Sequence, residues 1–192
     1  VYETHTTGIR LGMVLMLIGA SAYTPWTCLL AKALSRIEGE PGILTYTQII
    51  SGTLNVVMTM LPAGIFLVTA FRPERNPELI QLFNDFGWLW FFGVAAPIWL
   101  AFVSISWAAL TDVDPNPLFP RWVGWFNIWF TLLLFPGNCV FFFHSGPFSW
   151  VGIFAFYIPL TTYLIWFIVM TWALRRVLPR LTELPLSEYG RH

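Results

Sequence analysis

The chain alternates long apolar runs with short joins that carry proline, glycine or charge. Five runs are long enough to cross about 30 Å of hydrocarbon as helices that rise about 1.5 Å per residue. They cover roughly residues 9–34, 43–71, 86–110, 122–143 and 148–174. In lipid, backbone groups must be satisfied internally, which leaves helices or a closed barrel, and these runs are too long for barrel strands. The pattern predicts an all-α polytopic membrane bundle of five transmembrane helices over residues 1–178, with a short cytosolic tail at 179–192.

Composition supports the same class. Hydrophobic residues make up 57% of the 192 positions and charged residues only 10%, whereas soluble domains are about 45–50% apolar and about 25% charged. The lipid bilayer is therefore the first expected partner. The formal net charge is zero, and the chain has neither a glycine-rich phosphate loop nor a polybasic tract, so nucleic acid is not expected as a partner.

Basic residues predict the orientation of the bundle. The side that holds the N-terminus carries Arg10, Arg72 and Arg75. The opposite side carries more of them, namely Lys32, Arg36, Arg121, Arg175, Arg176, Arg180 and Arg191. The positive-inside rule then places the N-terminus outside and the C-terminus in the cytoplasm. We expect a bacterial inner (plasma) membrane protein with this multi-pass orientation.

Two sequence patterns recur along the chain. The second and fourth runs share Gly-x-x-Asn-x-x-x-Thr, and the third and fifth share Phe-x-Trp with a proline further along. The matching positions are Gly52, Asn55 and Thr59 with Gly124, Asn127 and Thr131, and Trp88 and Pro97 with Trp150 and Pro159. These matches predict two similar hairpins, formed by the second and third and by the fourth and fifth runs, as in parallel-repeat transporters. Chance similarity in a chain rich in Phe and Trp is the alternative.

Every run also contains an internal proline. Proline removes one helical hydrogen bond and kinks the helix, and the freed carbonyl then needs another partner inside a membrane. These prolines are Pro25, Pro62, Pro97, Pro136 and Pro159. Five kinked helices favour a bundle that is splayed around an internal cavity.

Neutral polar side chains within the runs predict what lines that cavity. At about 100° per residue, Asn127, Thr131 and Asn138 lie within about 40° of each other on one helix face. The second run has a similar stripe, and the first and fifth runs each add a tyrosine and a threonine. The stripe of the second run is Gln48, Gly52, Asn55 and Thr59, the first run adds Tyr23 and Thr27, and the fifth adds Tyr157 and Thr161. An amide facing hydrocarbon would have no partner, so the stripes should point inward.

Such stripes have two interpretations. They could bind a ligand, with Asn55, Thr59, Asn127, Thr131, Asn138, Tyr157 and Thr161 as its contacts. Alternatively, they only hold helices together, at about 0.6 kcal/mol per hydrogen bond.

Titratable groups within or near the runs are few. Asp85 and His144 both fall near the N-terminal side, where a carboxylate beside an imidazole could form a catalytic acid–base pair. A helix-start carboxylate and an interfacial histidine would explain the same residues without chemistry. No His-x-x-His or Glu-x-x-His array is present, so we expect no metal and no cofactor, with a haem held by His144 alone as the remaining option.

Three functions stay open at this point. The first is binding or transport of an uncharged hydrophobic or lipid-like small molecule in an intramembrane pocket. The second is a membrane-embedded enzyme, isomerase-like or cyclase-like, that uses Asp85 and His144 on a lipid-soluble substrate. The third is a non-catalytic subunit, either a homo-oligomer or part of a larger complex with partner membrane subunits.

Overall fold

The computed structural model of the protein describes residues 2–39 and 42–182. It is all-α, with 84% helix, and no strand occurs among the described residues. Six α-helices follow in order: α1 Tyr2–Glu38, α2 Ile43–Phe71, α3 Pro77–Gly93, α4 Ala96–Thr111, α5 Arg121–Leu134 and α6 Ile158–Thr182. A 3₁₀ helix, Phe135–Phe142, continues α5, and a π helix, Ile153–Tyr157, precedes α6. The predicted all-α class is confirmed.

The helices combine into five apolar segments. They are Thr4–Glu38, Ile43–Phe71, Pro77–Thr111, Arg121–Phe142 and Ile153–Thr182. Each is long and apolar enough to cross a membrane, as expected of a multi-pass membrane protein.

The helices begin or end at other residues than the predicted runs where a capping side chain or a turn sets the boundary. The third segment begins at Pro77 rather than at residue 86, because the Asn76 side chain accepts a hydrogen bond of 2.9 Å from the Glu78 amide and proline suits the first turn. The first segment is longer than residues 9–34 at both ends. The fifth begins at Ile153 rather than at residue 148, since residues 148–152 form turns.

The predicted tail is partly helical. α6 continues through Pro179 to Thr182, and residues 183–192 lie outside the described part of the chain. The Arg180 guanidinium donates to the carbonyls of Pro117 at 2.9 Å and Asn116 at 2.6 Å. The end of α6 is therefore fixed against the loop between α4 and α5.

The internal prolines divide into two groups. α1 and α2 remain helical through Pro25 and Pro62. At the other three prolines the helix stops or changes type: α3 ends and α4 begins just before Pro97, α5 gives way to the 3₁₀ helix at Pro136, and the π helix ends just before Pro159. A missing N–H and a ring clash account for such breaks.

The main hydrophobic core lies towards the end of the bundle where α1, α4 and α6 finish. It joins buried side chains of α1, α4, α5 and α6 around Trp166, which is fully buried. The Trp166 ring stacks on Phe102 with 4.3 Å between centroids and also packs against Trp26 and Tyr163. The opposite end, near the N-terminus, contains the larger clefts.

The most extensive helix contact in the described part of the chain is between α1 and α2. Gly52 of α2 lies against the Thr27 side chain, and a Cβ at this glycine would overlap with Thr27 Oγ1 and Cβ. The amide of Gln48, one turn earlier on α2, donates to the same hydroxyl at 3.4 Å. Gly52 therefore sets the distance between the two helices.

Gly52→Ala is expected to lower the free energy of unfolding by about 1–3 kcal/mol, since the added methyl must push α1 and α2 apart. Gly64→Ala on the same helix is the matched control, because a Cβ there meets nothing within 4 Å and alanine favours helix by up to about 1 kcal/mol. Thermal unfolding in detergent compares the two variants. Equal unfolding midpoints for Gly52→Ala and Gly64→Ala would contradict a close contact between α1 and α2 at Gly52.

Candidate functional site

A small cavity lies in the middle of the bundle, and we call it the inner cavity. Its volume is about 70 Å³. Asn55 on its wall is about 18 Å along the helix from the start of α2 and about 24 Å from its end, at about 1.5 Å per residue. The lining residues are Asn55, Met58, Thr59, Phe91, Phe92, Ala95, Ile98, Leu134, Pro159, Leu160 and Tyr163.

The inner cavity lies where three helical segments are interrupted. Ala95 is one of the two residues between α3 and α4, Leu134 is the last residue of α5, and Pro159 lies in the first turn of α6. Broken helices expose backbone groups that a continuous helix would use internally. Discontinuous helices of this kind form the binding sites of several transporters.

One polar pair interrupts the apolar wall of the cavity. Asn55 Nδ2 donates to Tyr163 Oη at 2.9 Å, and the side chain of Thr59 donates to the Asn55 carbonyl at 3.0 Å. The Tyr23 hydroxyl of α1 lies beside Asn55, Tyr163 and Thr27. We call Tyr23, Asn55 and Tyr163 the polar cluster. Its amide and two phenols can both donate and accept hydrogen bonds.

A second cavity meets the inner cavity at this cluster. It is a groove of about 340 Å³ between α1 and α6, and Asn55, Thr59 and Tyr163 line both spaces. Other walls of the groove are apolar or small, and include Met16, Gly19, Leu164 and Phe167. Together the two spaces reach the size of small-molecule sites, roughly 300–1,000 Å³. We call the second space the lateral groove.

Asn127 lies elsewhere, in the core. It is fully buried and accepts a hydrogen bond of 2.7 Å from Trp166 Nε1. Its Nδ2 donates to the Val123 carbonyl at 2.8 Å and contacts Met170 Sδ at 3.4 Å. The side chain lines none of the cavities described here, and its hydrogen bonds are used within the protein.

The other four predicted ligand contacts are dispersed. Thr131 is half-buried and donates to the Asn127 carbonyl at 2.9 Å. Asn138 is half-buried in the 3₁₀ helix and donates to the Phe135 carbonyl at 3.4 Å. Tyr157 is 60% exposed and Thr161 is also exposed. The structure thus brings Asn55 and Thr59 together at one site and leaves these four away from it.

Asp85 and His144 are not joined in the described part of the chain, where neither a hydrogen bond nor an ion pair links them. Asp85 is half-buried on α3, and His144 is exposed beyond the 3₁₀ helix. Their acid–base role stays a prediction, as does a haem on His144. No group of three or more His, Cys, Asp or Glu side chains comes together among the described residues.

A third space, the outer cleft, opens near the N-terminus between α1, α2 and α3. Its volume is about 730 Å³. The rings of Trp88 and Trp150 stack in its wall with 5.9 Å between centroids. Trp88 also lies parallel to Phe92, which lines the inner cavity, at 5.9 Å. This aromatic stack separates the outer cleft from the inner cavity.

Tyr163 and the outer cleft are the features that sequence reasoning did not single out. Tyr163 lies one turn after Pro159, on the side of α6 opposite to the exposed Ile165 and Ile168. That spacing was a usable signal, because a phenol one turn beyond a helix break is well placed to face the gap. The outer cleft combines residues from three helices and a turn, which no single periodicity reveals.

Comparisons of the chain with protein-family models, with curated proteins and with solved structures gave no match.

Proposed function

We propose that this protein is an integral membrane protein that binds an uncharged, lipid-soluble small molecule at the polar cluster, for storage or transport. The observation that carries the proposal is the Asn55–Tyr163 pair, a side-chain hydrogen bond of 2.9 Å in the wall that the inner cavity and the lateral groove share. An apolar pocket with few convergent polar groups is the usual form of a small-molecule site.

The chemistry of the walls limits the ligand class. Among the described residues, no carboxylate, lysine, arginine or histidine lines the inner cavity or the lateral groove, so a charged ligand would lack a counter-ion in a medium of low dielectric constant. A molecule with one carbonyl or hydroxyl group could instead hydrogen-bond with Asn55, Tyr23 or Tyr163. We therefore propose an apolar body with one neutral polar end.

Access from the bilayer follows from the position of the lateral groove. α1 and α6 meet beside it through Trp26, whose Nε1 donates to Thr171 Oγ1 at 3.2 Å. Nearer the N-terminus of α1, from Met16 to Tyr23, the two helices leave the groove between them. In the proposed membrane location, a lipid-soluble molecule would reach the polar cluster sideways without crossing water. We propose an N-terminus outside and a C-terminus in the cytoplasm of a bacterial inner membrane, supported by the distribution of basic residues.

The proposed repeat gives further support to a central site. Trp88 and Trp150 match in the two hairpins and stack on each other. Ile98 and Leu160, which follow the matching prolines, both line the inner cavity. Contacts between equivalent residues are expected beside a pseudo-twofold axis, and transporter sites lie at such repeat interfaces.

Gly19→Leu tests the proposal. A Cβ at Gly19 meets nothing within 4 Å, and this glycine lines the lateral groove, so we expect leucine to extend into the groove without straining the backbone. We expect the amount of co-purifying small molecule, measured by mass spectrometry, to fall at least about fivefold. Such a loss is about 1 kcal/mol of binding free energy.

Gly12→Leu is the matched control. It adds the same side chain to the same helix, also into open space, and Gly12 lines none of the described cavities. If both variants retain the small molecule equally, or if the wild type carries none, the groove is not a ligand site. Unfolding midpoints of all three proteins show whether folding has changed.

A further inference from the structure

We propose that the outer cleft is a second binding site, which holds the anionic headgroup of a membrane lipid with an acyl chain lying along α1. The inference rests on the membrane location proposed above, but not on the ligand of the polar cluster. The two sites differ in chemistry, because Arg75 lines the outer cleft, whereas no charged side chain of the described residues lines the inner cavity.

The cleft has the amphipathic lining that such a lipid needs. Arg75, Gln81 and Asn84 lie on its wall with the Tyr2 phenol, which donates to Asn84 Oδ1 at 2.9 Å. Burial raises the pKa of Tyr2, so the phenol stays neutral as a donor. Ile9 and Met13 continue the wall along α1 as an apolar track. Polar donors thus lie at one end of the cleft and apolar side chains along it.

The positive charge of Arg75 indicates that the ligand of the outer cleft is an anion. Arg75 is half-buried and forms no ion pair with any carboxylate in the described part of the chain. Among the acids whose side chains the structure describes, those nearby do not line the cleft: Glu74 and Glu78 are exposed, and Asp85 is half-buried. Guanidinium groups bind phosphate oxygens in a forked, two-bond geometry. Pro77 and Ile80, in the first turn of α3, also line the cleft.

The position of the cleft fits the headgroup layer. The first apolar segment contains 35 residues, or about 52 Å of helix at about 1.5 Å per residue. The third also contains 35 residues, divided between α3 and α4. A bilayer is about 40–45 Å thick with its headgroups. The N-terminal ends of both segments, which form the cleft, would therefore reach the phosphate region.

Short-chain lipids provide the test. Binding of dihexanoyl phosphatidylglycerol and dihexanoyl phosphatidylcholine to the full chain in a neutral detergent would be measured by native mass spectrometry or thermophoresis. We expect the anionic lipid to bind at least about tenfold more tightly. Arg75→Gln should weaken it about tenfold and Gln81→Ala a few-fold, whereas Arg72→Gln should leave it unchanged. Arg72 has the same charge in the same loop, but it is exposed and does not line the cleft.

Three results would overturn the site. The first is equal affinity for the two lipids, and the second is an equal loss of lipid affinity in Arg75→Gln and Arg72→Gln. The third is binding of inorganic phosphate as tight as that of phosphatidylglycerol, which would mean that the cleft is a site for a free anion. The small molecule at the polar cluster should remain in Arg75→Gln, so the loss of one site is distinguishable from the loss of the other. Release of the chain from membranes by alkaline carbonate would instead contradict the proposed membrane location itself.

Discussion

Trp166→Ala is expected to be among the most destabilising single substitutions in this protein, with a loss of about 3–5 kcal/mol in the free energy of unfolding. The side chain is fully buried, stacks on Phe102 and donates its Nε1 hydrogen to Asn127. Its removal leaves a cavity where α1, α4 and α6 meet and takes the donor from Asn127 Oδ1. Both effects lower the free energy of unfolding.

Trp129→Ala is the control for this substitution. Trp129 is 64% exposed on α5, so its truncation should change the unfolding midpoint little. Thermal unfolding of the two variants in one detergent, followed by size-exclusion chromatography, measures the difference. Similar midpoints for the two would show that Trp166 does not hold the core together.

Exchanging the two asparagines for leucine should separate binding from stability. Asn55→Leu removes the amide that lines both cavities, and one lost hydrogen bond of about 1–1.5 kcal/mol corresponds to about tenfold weaker binding. Asn127→Leu leaves the buried Trp166 N–H without an acceptor, which costs about 1–3 kcal/mol of folding free energy. We expect Asn55→Leu to lose ligand and Asn127→Leu to lose stability.

Both quantities can be measured on the same preparations. Mass spectrometry gives the small-molecule content per chain, and differential scanning fluorimetry gives the unfolding midpoint. A ligand loss of the same size in both variants would contradict the distinction drawn between the two sites. So would a lowered midpoint in Asn55→Leu with unchanged ligand content.

Sequence periodicity worked best on α2. This helix is continuous from Ile43 to Phe71, so a rotation of about 100° per residue holds along its length. Gln48, Gly52 and Asn55 are buried there, as the stripe predicted. Two of the predicted ligand contacts, Asn55 and Thr59, consequently line the same cavity wall.

α-Helical periodicity does not predict which residues share a face where the helix changes from α to 3₁₀ or π. Rotation of an α-helix predicts Asn138 on one face with Asn127, but the chain is 3₁₀ helix from Phe135, with about three residues per turn. The same rotation predicts Tyr157 and Thr161 on one face, but Tyr157 ends a π helix, whose hydrogen bonds join residues five apart. Neither change could be located within the apolar runs from residue types alone.

Asn127 illustrates a different limit. Helical periodicity correctly predicts that the Asn127 side chain faces inward, since this residue is fully buried. Periodicity alone does not tell whether an inward-facing amide lines a cavity or contacts a neighbouring side chain. The environment of the Asn127 amide is decided by Trp166 on α6, which becomes its hydrogen-bond partner only when α5 packs on α6. Tyr163 at the polar cluster reflects the same limit, because its partner Asn55 lies on α2.

The most direct test of the central claim is photolabelling of the protein in native membranes with a small apolar diazirine, followed by peptide mass spectrometry. A site at the polar cluster predicts label on Tyr23 and Tyr163, which lie inside the bundle, as well as on exposed outer residues such as Ile168. In Gly19→Leu the internal label should fall while the label on Ile168 stays the same. Label confined to the outer surface in the wild type would contradict the claim that a lipid-soluble molecule reaches the polar cluster.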